Sequence, residues 1–345
     1  MPDSPNLTIA VFSESSGWKL PARLIEQVAA VSESVRTRAV GSRAELLSLL
    51  PETRYLVGFP LSDEDFQRYG GSLEWLHLTS TTPDLRVELP RLTASRVRIC
   101  TASTIQAPQR AEHAVMLMLA LVRRLNEAIT AQLEHVWAGA ELARSITDLE
   151  GMTVGIIGLG PLGRAIAKRL RPFEVEIIAT LGDAENPFGG VDEMLPIERL
   201  DELLGRSDVV VLAVPPTSVR TVLLNRSMLP NCQKSAILVN VSHNRVCDDM
   251  ALAEMLSRRR LAGAGLDSFD STPLPESSPL WRMSNVLITP RVAAVSPRYW
   301  ERAINIVCDN LKRFLDGRPL IDEWTAQDGR EQIAPPTTVP EQVSP

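Results

Sequence analysis

Residues 153–170, TVGIIGLGPLGRAIAKRL, decide the fold. The first five are a β-rich apolar run. They lead without a spacer into Gly158-Leu159-Gly160-Pro161-Leu162-Gly163, which opens a helical segment from Arg164 to Leu170. A G-x-G-x-x-G alone is weak, but strand, motif and helix in direct succession specify a turn that cradles a dinucleotide. Gly158 permits the tight turn, Gly160 lets the backbone approach a pyrophosphate, and Gly163 lets the helix meet the strand. The helix N-terminus, with Pro161 and Leu162 in its first turn, offers N–H groups to the anion.

Working outward from this turn, VEIIAT (175–180), VVVLAV (209–214), AILVNV (236–241), GAGL (263–266) and VLIT (286–289) read as further strands. Helical segments at 197–204 and 248–258 separate them. Nearly continuous Val/Ile/Leu strands alternating with helices predict an α/β, doubly wound parallel sheet. Upstream, LTIAVF (7–12) and residues 55–57, 75–78 and 97–100 repeat the pattern on a smaller scale, with helices at 22–31 and 44–50. Between the two series, residues 111–131 predict one long helix, apolar enough to be buried on more than one side and suited to a domain junction. A second amphipathic helix is predicted over 299–315. After Trp324 the chain turns polar and proline-rich, and residues 327–345 read as a disordered tail.

A chain of 345 residues, 44% hydrophobic, can bury two cores. Its net charge is −6 and its longest basic run is Arg258-Arg259-Arg260, expected solvated at a helix end, so neither a nucleic acid nor an anionic membrane is an expected partner. The start of the chain does not combine a basic segment with an apolar one, and nothing approaches the roughly 18 apolar residues of a membrane helix. A soluble, cytoplasmic protein is the expectation. Cys100, Cys232, Cys247 and Cys308 form no C-x-x-C pair, so they read as buried thiols rather than a disulfide framework or a metal site.

The second strand of a dinucleotide fold ordinarily ends in an acidic residue that holds the adenosine ribose. Here 175–180 runs into Leu181-Gly182-Asp183, placing leucine at that position and Asp183 two residues later. Asp183 either reaches the ribose through an altered turn or is an ordinary loop charge. No lysine or arginine lies between Thr180 and Pro196, whereas Asp183 and Glu185 would repel a 2′-phosphate, so NAD is preferred to NADP.

The segments LEGMTVGIIGLGPLGRAIAKRLRPF, SDVVVLAVPPT, AILVNV, LAGAGLDSF, PLPESSPLWRMSNVLITP and DNLKRFLDGRPL resemble the D-2-hydroxyacid dehydrogenase family. Similarity extends upstream through residues 73–81 and Ala111-Glu112-His113. The resemblance implies two Rossmann-like domains. A cofactor domain, residues 119–296, would be inserted into a smaller flavodoxin-like substrate domain made of 1–118 and 297–326. It also implies a homodimer, contacts of Val214, Pro215 and Asp267 with the cofactor, and a loop at Ser80-Thr81-Thr82 that receives the carboxylate of a small 2-keto or 2-hydroxy acid.

Hydride transfer in that family uses an arginine that grips substrate, a histidine that exchanges the proton and a glutamate that tunes the histidine. The positions matching them hold His243, after Asn240-Val241-Ser242, Arg291, after Thr289-Pro290, and Thr272. Three explanations stay open. Arginine and histidine have exchanged places, with Arg291 as the carboxylate fork, His243 as the proton shuttle oriented by Asp270, and Arg245 as an alternative fork. Or the site binds cofactor without turnover, as a regulatory or scaffold protein. Or the pocket serves a non-redox reaction. Each residue also has a plainer reading: His243 as a polar loop residue, Arg291 as an ion-pair partner of Asp267 or Asp270, Thr272 as a turn cap. His113 reads as a buried hydrogen-bond partner, His77 as a distant candidate base, and Trp137, Trp281 and Trp300 as packing or interface aromatics.

Overall fold

A computed structural model describes residues 5–58, 61–79, 85–180, 189–214, 222–242 and 246–325. The chain forms two compact units, one running through Gln106 and resuming at Ser296, the other taking Ala107–Val295. The expected tail, 327–345, lies outside the described residues.

In the first unit, β1 (Asn6–Ala10), β2 (Arg36–Ala39), β3 (Thr53–Gly58), β4 (Trp75–Leu78) and β5 (Arg98–Cys100) pair in parallel, in the order β2-β1-β3-β4-β5. That is the flavodoxin order. Alternate side chains go to opposite faces. Leu7, Ile9, Tyr55, Val57 and Trp75 pack with Leu24 and Val28 of α1 (Ala22–Ala29) and with Ile304, Val307 and Leu311 of the helix Tyr299–Leu315. Ala10, Leu56, Leu76 and Leu78 face the other way, onto Leu46 of α2 (Arg43–Leu49) and Leu50. Among the elements that escaped the sequence reading, two are polar. β2 is the polar edge strand RTRA, and α3 (Asp63–Tyr69) is a polar helix whose start is marked by a capping box between Ser62 and Asp65.

The predicted helix 111–131 is two helices. α4 (Ser103–Val122) begins in the first unit and ends in the second, and α5 (Leu125–Leu133) follows a break at Arg124, whose φ of 55° is left-handed and incompatible with a continuing helix. The apolar character of the stretch concealed that break. The second unit then alternates β6 (Thr153–Ile157), α6 (Pro161–Leu170), β7 (Glu176–Thr180), β8 (Glu193–Met194), α7 (Leu200–Arg206), β9 (Val209–Leu212), β10 (Ile237–Asn240), α8 (Asp249–Ser257), β11 (Gly263–Leu266) and β12 (Val286–Ile288). All seven strands are parallel, in the order β8-β7-β6-β9-β10-β11-β12. The doubly wound sheet expected from the sequence is therefore present, with its direction of winding reversing between β6 and β9. Arg258-Arg259-Arg260 lies exposed just beyond α8, and the four cysteines are buried and free.

Two polar contacts brace connections that apolar packing alone would leave loose. Buried Asn310, on the helix Tyr299–Leu315, donates from Nδ2 to Ile321 O (2.9 Å) and accepts from Ile321 N (2.7 Å), pinning the segment after that helix. At the start of α8, Asp248 caps Ala251 N, while Asp249 and Asp270 exchange contacts: Asp249 N donates to Asp270 Oδ2 (3.1 Å) and Asp270 N to Asp249 Oδ2 (2.8 Å). Burial, reinforced by the charges of Asp270 and Asp248, pushes the Asp249 carboxyl up to about 6.

Asn310→Ala leaves the Ile321 amide and carbonyl without their partner and is expected to cost about 1–3 kcal/mol in chemical denaturation. Asp249 binds its proton more tightly folded than unfolded, so its contribution to stability falls as pH rises from about 4 through about 6. Asp249→Asn keeps an acceptor for Asp270 N and removes the charge. It should raise the melting temperature at pH 8 and leave it nearly unchanged at pH 4, and equal shifts at both values would contradict the assignment.

Candidate functional site

The phosphate-binding turn sits at the C-terminal end of β6. Gly158 has φ of +101°, and its N–H donates to Thr180 O (3.0 Å) at the end of β7. A methyl group on Gly158 would lie 2.8 Å from Ala213 O and 3.0 Å from Val214 Cα, which places buried Val214 against the turn. A methyl on Gly163 would lie 2.0 Å from Gly158 O, so α6 meets the strand only because residue 163 is glycine. At Gly160, by contrast, a Cβ would have nothing within 4 Å, and no side chain caps α6. Pro161 takes the first helical position, where its missing N–H costs nothing. The N–H groups of Leu162 and Gly163 thus open onto the space at Gly160, and this chain's own residues fit a dinucleotide pyrophosphate.

Along the same edge of the sheet, Asp267 follows β11. Its buried carboxylate accepts from Thr289 Oγ1 (2.7 Å) and Val292 N (2.9 Å) through Oδ1 and from Ala293 N (3.1 Å) through Oδ2, holding the turn after β12. His113, on α4, brings Nε2 within 2.8 Å of Thr289 Oγ1 and 3.6 Å of Asp267 Oδ1. Since Thr289 donates to Asp267, it accepts from His113, which fixes the tautomer with the proton on Nε2. Burial lowers the His113 pKa, the nearby Asp267 charge opposing it, so the imidazole is neutral at pH 7. This is the buried hydrogen-bonding role expected of His113.

The turn held by Asp267 carries Arg291, with φ of 55°, exposed, and donating from Nη1 to Thr272 Oγ1 (2.9 Å). The positions at which the resembled family has its histidine and glutamate are thus brought together, although the residues on them have changed. Asp270 is engaged with Asp249 at the start of α8. His77 is excluded as a base: it lies wholly buried on β4, with Nδ1 3.0 Å from Leu78 O and its ring edge-on to Trp75, and burial pushes it down to about 4. Trp300 stacks on Trp18, and Trp281 donates to Pro275 O (3.0 Å). Ser80, Thr81, Thr82, Asp183, Pro215, His243 and Arg245 lie outside the described residues.

The sequence reading overlooked Arg110 and Thr289. Arg110, on α4, is 8% exposed, and its Nη2 donates to Val241 O (2.5 Å) and Ser242 O (2.7 Å). Nearby, Asn240 Oδ1 accepts from Ser242 N (3.1 Å) and Ser242 Oγ (2.7 Å), while Asn240 Nδ2 donates to Ser268 O (3.2 Å). A signal for Arg110 was available, since it sits four and seven residues ahead of Ala114 and Leu117, on the buried stripe of its helix.

Three comparisons agree with this geometry. The family model described as D-isomer specific 2-hydroxyacid dehydrogenase, NAD binding domain, matches residues 115–293. A glyoxylate reductase of Thermofilum pendens is 33% identical over 238 residues, 67% of this chain and 69% of that protein. A D-3-phosphoglycerate dehydrogenase of Mycobacterium leprae is 28% identical over 313 residues, 89% of this chain, and the chain spans 58% of the length of that relative. Among solved structures, the NADPH-dependent glyoxylate/hydroxypyruvate reductase of Sinorhizobium meliloti, in complex with NADP and sulfate, shares the fold. It superposes with a TM-score of 0.74 at 23% identity, covering 94% of this chain and 99% of that one. The chain belongs to the D-isomer specific 2-hydroxyacid dehydrogenase family.

Proposed function

We propose that the chain is an NAD(P)-dependent oxidoreductase that transfers a hydride between nicotinamide and a small 2-keto or 2-hydroxy acid through a rearranged site. The observation that carries this reading is a shared edge. The glycine turn after β6, Asp267 after β11 and the Arg291 turn after β12 all lie at the C-terminal ends of one parallel sheet, where open α/β sheets bind ligands. In this reading Ala107–Val295 serves the cofactor and the other unit the substrate, whose carboxylate meets Ser80, Thr81 and Thr82. Arg291 offers the planar two-donor fork for a carboxylate, with Arg245 as the alternative fork, and His243 moves the proton with Asp270 as its orienter. NAD is the preferred cofactor because residues 181–196 contain acids and no lysine or arginine. Four buried, free thiols support a reducing compartment such as the cytoplasm.

The chain is further proposed to act as a homodimer. Met116, Leu125, Ile129, Leu133, Val136 and Trp137, on and just beyond α4 and α5, are exposed, Trp137 to 98%, and a groove of about 680 Å³ runs beside Met116 and Leu125. A continuous apolar face of this kind is what a second copy of the chain would cover.

Following nicotinamide absorbance with NADH and NADPH against glyoxylate, hydroxypyruvate, pyruvate and phenylpyruvate tests the activity, with calorimetry of each cofactor alongside. Oxidation of NADH by at least one acid is expected, and His243→Ala and Arg291→Ala should each lower kcat/KM by about 100-fold or more while NADH affinity holds. Tight cofactor binding with no oxidation across the panel would replace this reading with a sensor or a non-redox enzyme. For the dimer, sedimentation velocity should give the mass of two chains, and Ile129→Glu combined with Leu133→Glu the mass of one, with the circular dichroism unchanged. A native monomer at micromolar concentration would refute it.

A further inference from the structure

Arg110 is a charged side chain in a place where charge is costly. It lies on the buried stripe of α4, and transfer of a guanidinium out of water is offset only when its donors are matched with good geometry. One nitrogen, Nη2, reaches two consecutive main-chain carbonyls, those of Val241 and Ser242. Consecutive carbonyls of an extended strand point in opposite directions, so a single nitrogen bridges them only where the chain has left the strand. β10 ends at Asn240, and the bridged residues are the next two. Asn240 closes the same bend from the other side, accepting from the N–H and the hydroxyl of Ser242. The main chain at residues 241 and 242 is therefore clamped by a side chain from another element.

We infer that Arg110 is a positioning residue for the reaction: by bridging Val241 O and Ser242 O it fixes the main chain just beyond β10, at the ligand-facing end of the sheet, and keeps a fixed positive charge near Asp267. The inference rests on the proposed function for its catalytic consequence, but not for the clamp itself. Burial pushes the guanidinium down to about 10, with Asp267 opposing and Arg291 adding to the effect, so it stays charged at neutral pH. A buried cation within electrostatic reach of the Asp267 carboxylate and the Arg291 guanidinium biases the site toward an anion such as a substrate carboxylate or the alkoxide formed on hydride transfer. Lysine is a weaker substitute: its ammonium has donors enough for two carbonyls, but it sits on a flexible stem without the rigid guanidinium plane that fixes the direction of both bonds.

Arg110→Met and Arg110→Lys test this with two independent readouts. The first is hydrogen–deuterium exchange of the peptide spanning residues 241–247, which requires no activity. Release of the clamp should speed exchange there by about tenfold or more while peptides in β6 and α6 stay protected. The second is steady-state kinetics with the acid that the native protein reduces. Arg110→Met is expected to lower kcat by about 100-fold and Arg110→Lys by about tenfold, with NADH affinity within about twofold of native, since the glycine turn is untouched. Unchanged exchange over 241–247 in both variants overturns the clamp, and a kcat within about threefold of native in both overturns its catalytic consequence. If Arg110→Met fails to fold, the Lys variant decides both. A native protein that oxidises no cofactor refutes the proposed function and leaves the exchange result to judge Arg110 by itself.

Discussion

The carboxylate of Asp267 is the interaction on which the rest of the second unit's ligand-facing edge depends. A buried anion must be matched by donors or it drives the structure apart. Asp267 draws three of them from one short stretch, the hydroxyl of Thr289 and the amides of Val292 and Ala293. Those bonds bend the chain after β12, and the bend sets Arg291 in a left-handed conformation that a free chain would seldom adopt. Through Thr289 the same carboxylate orients His113 on α4. Strand end, turn and helix are thus tied at one polar point inside an otherwise apolar layer.

Around that point the positions that the resemblance matches to the family's histidine and glutamate hold Arg291 and Thr272. Arg291 and Thr272 face each other across a hydrogen bond, as the resembled family's histidine and glutamate would, but a guanidinium and a hydroxyl do not trade a proton near neutrality. In the proposed reaction the proton is therefore assigned to another residue, His243. The dinucleotide turn shows no such exchange. Gly158 and Gly163 meet steric demands of the chain itself, and Gly160 leaves the space before the helix open.

How much of this was legible beforehand follows from how each feature is encoded. The cofactor turn and the buried strands were readable because local pattern alone specifies them: glycine spacing in one case and runs of Val, Ile and Leu in the other. The break at Arg124 was hidden, since a helix can stop inside an apolar stretch when tertiary packing compensates. β2 carries no alternation because it is a polar edge, recognised only once β1 is beside it. The pairing of Arg291 with Thr272 could be inferred through family positions alone, and Arg110, whose place on a buried stripe was readable, kept its partners hidden because they are carbonyls more than a hundred residues away.

The cysteines have a use that their silence in the native state creates. Burial pushes Cys100 and Cys232 up to about 12 and Cys308 to about 11, and raises Cys247 well above the ordinary thiol value. With so little thiolate and so little access, none of them is a nucleophile while the fold is intact. Cys100 and Cys308 belong to the first unit, Cys232 and Cys247 to the second. Alkylation of the folded chain by a thiol reagent therefore reports transient opening, and the pair that is labelled first names the unit that opened.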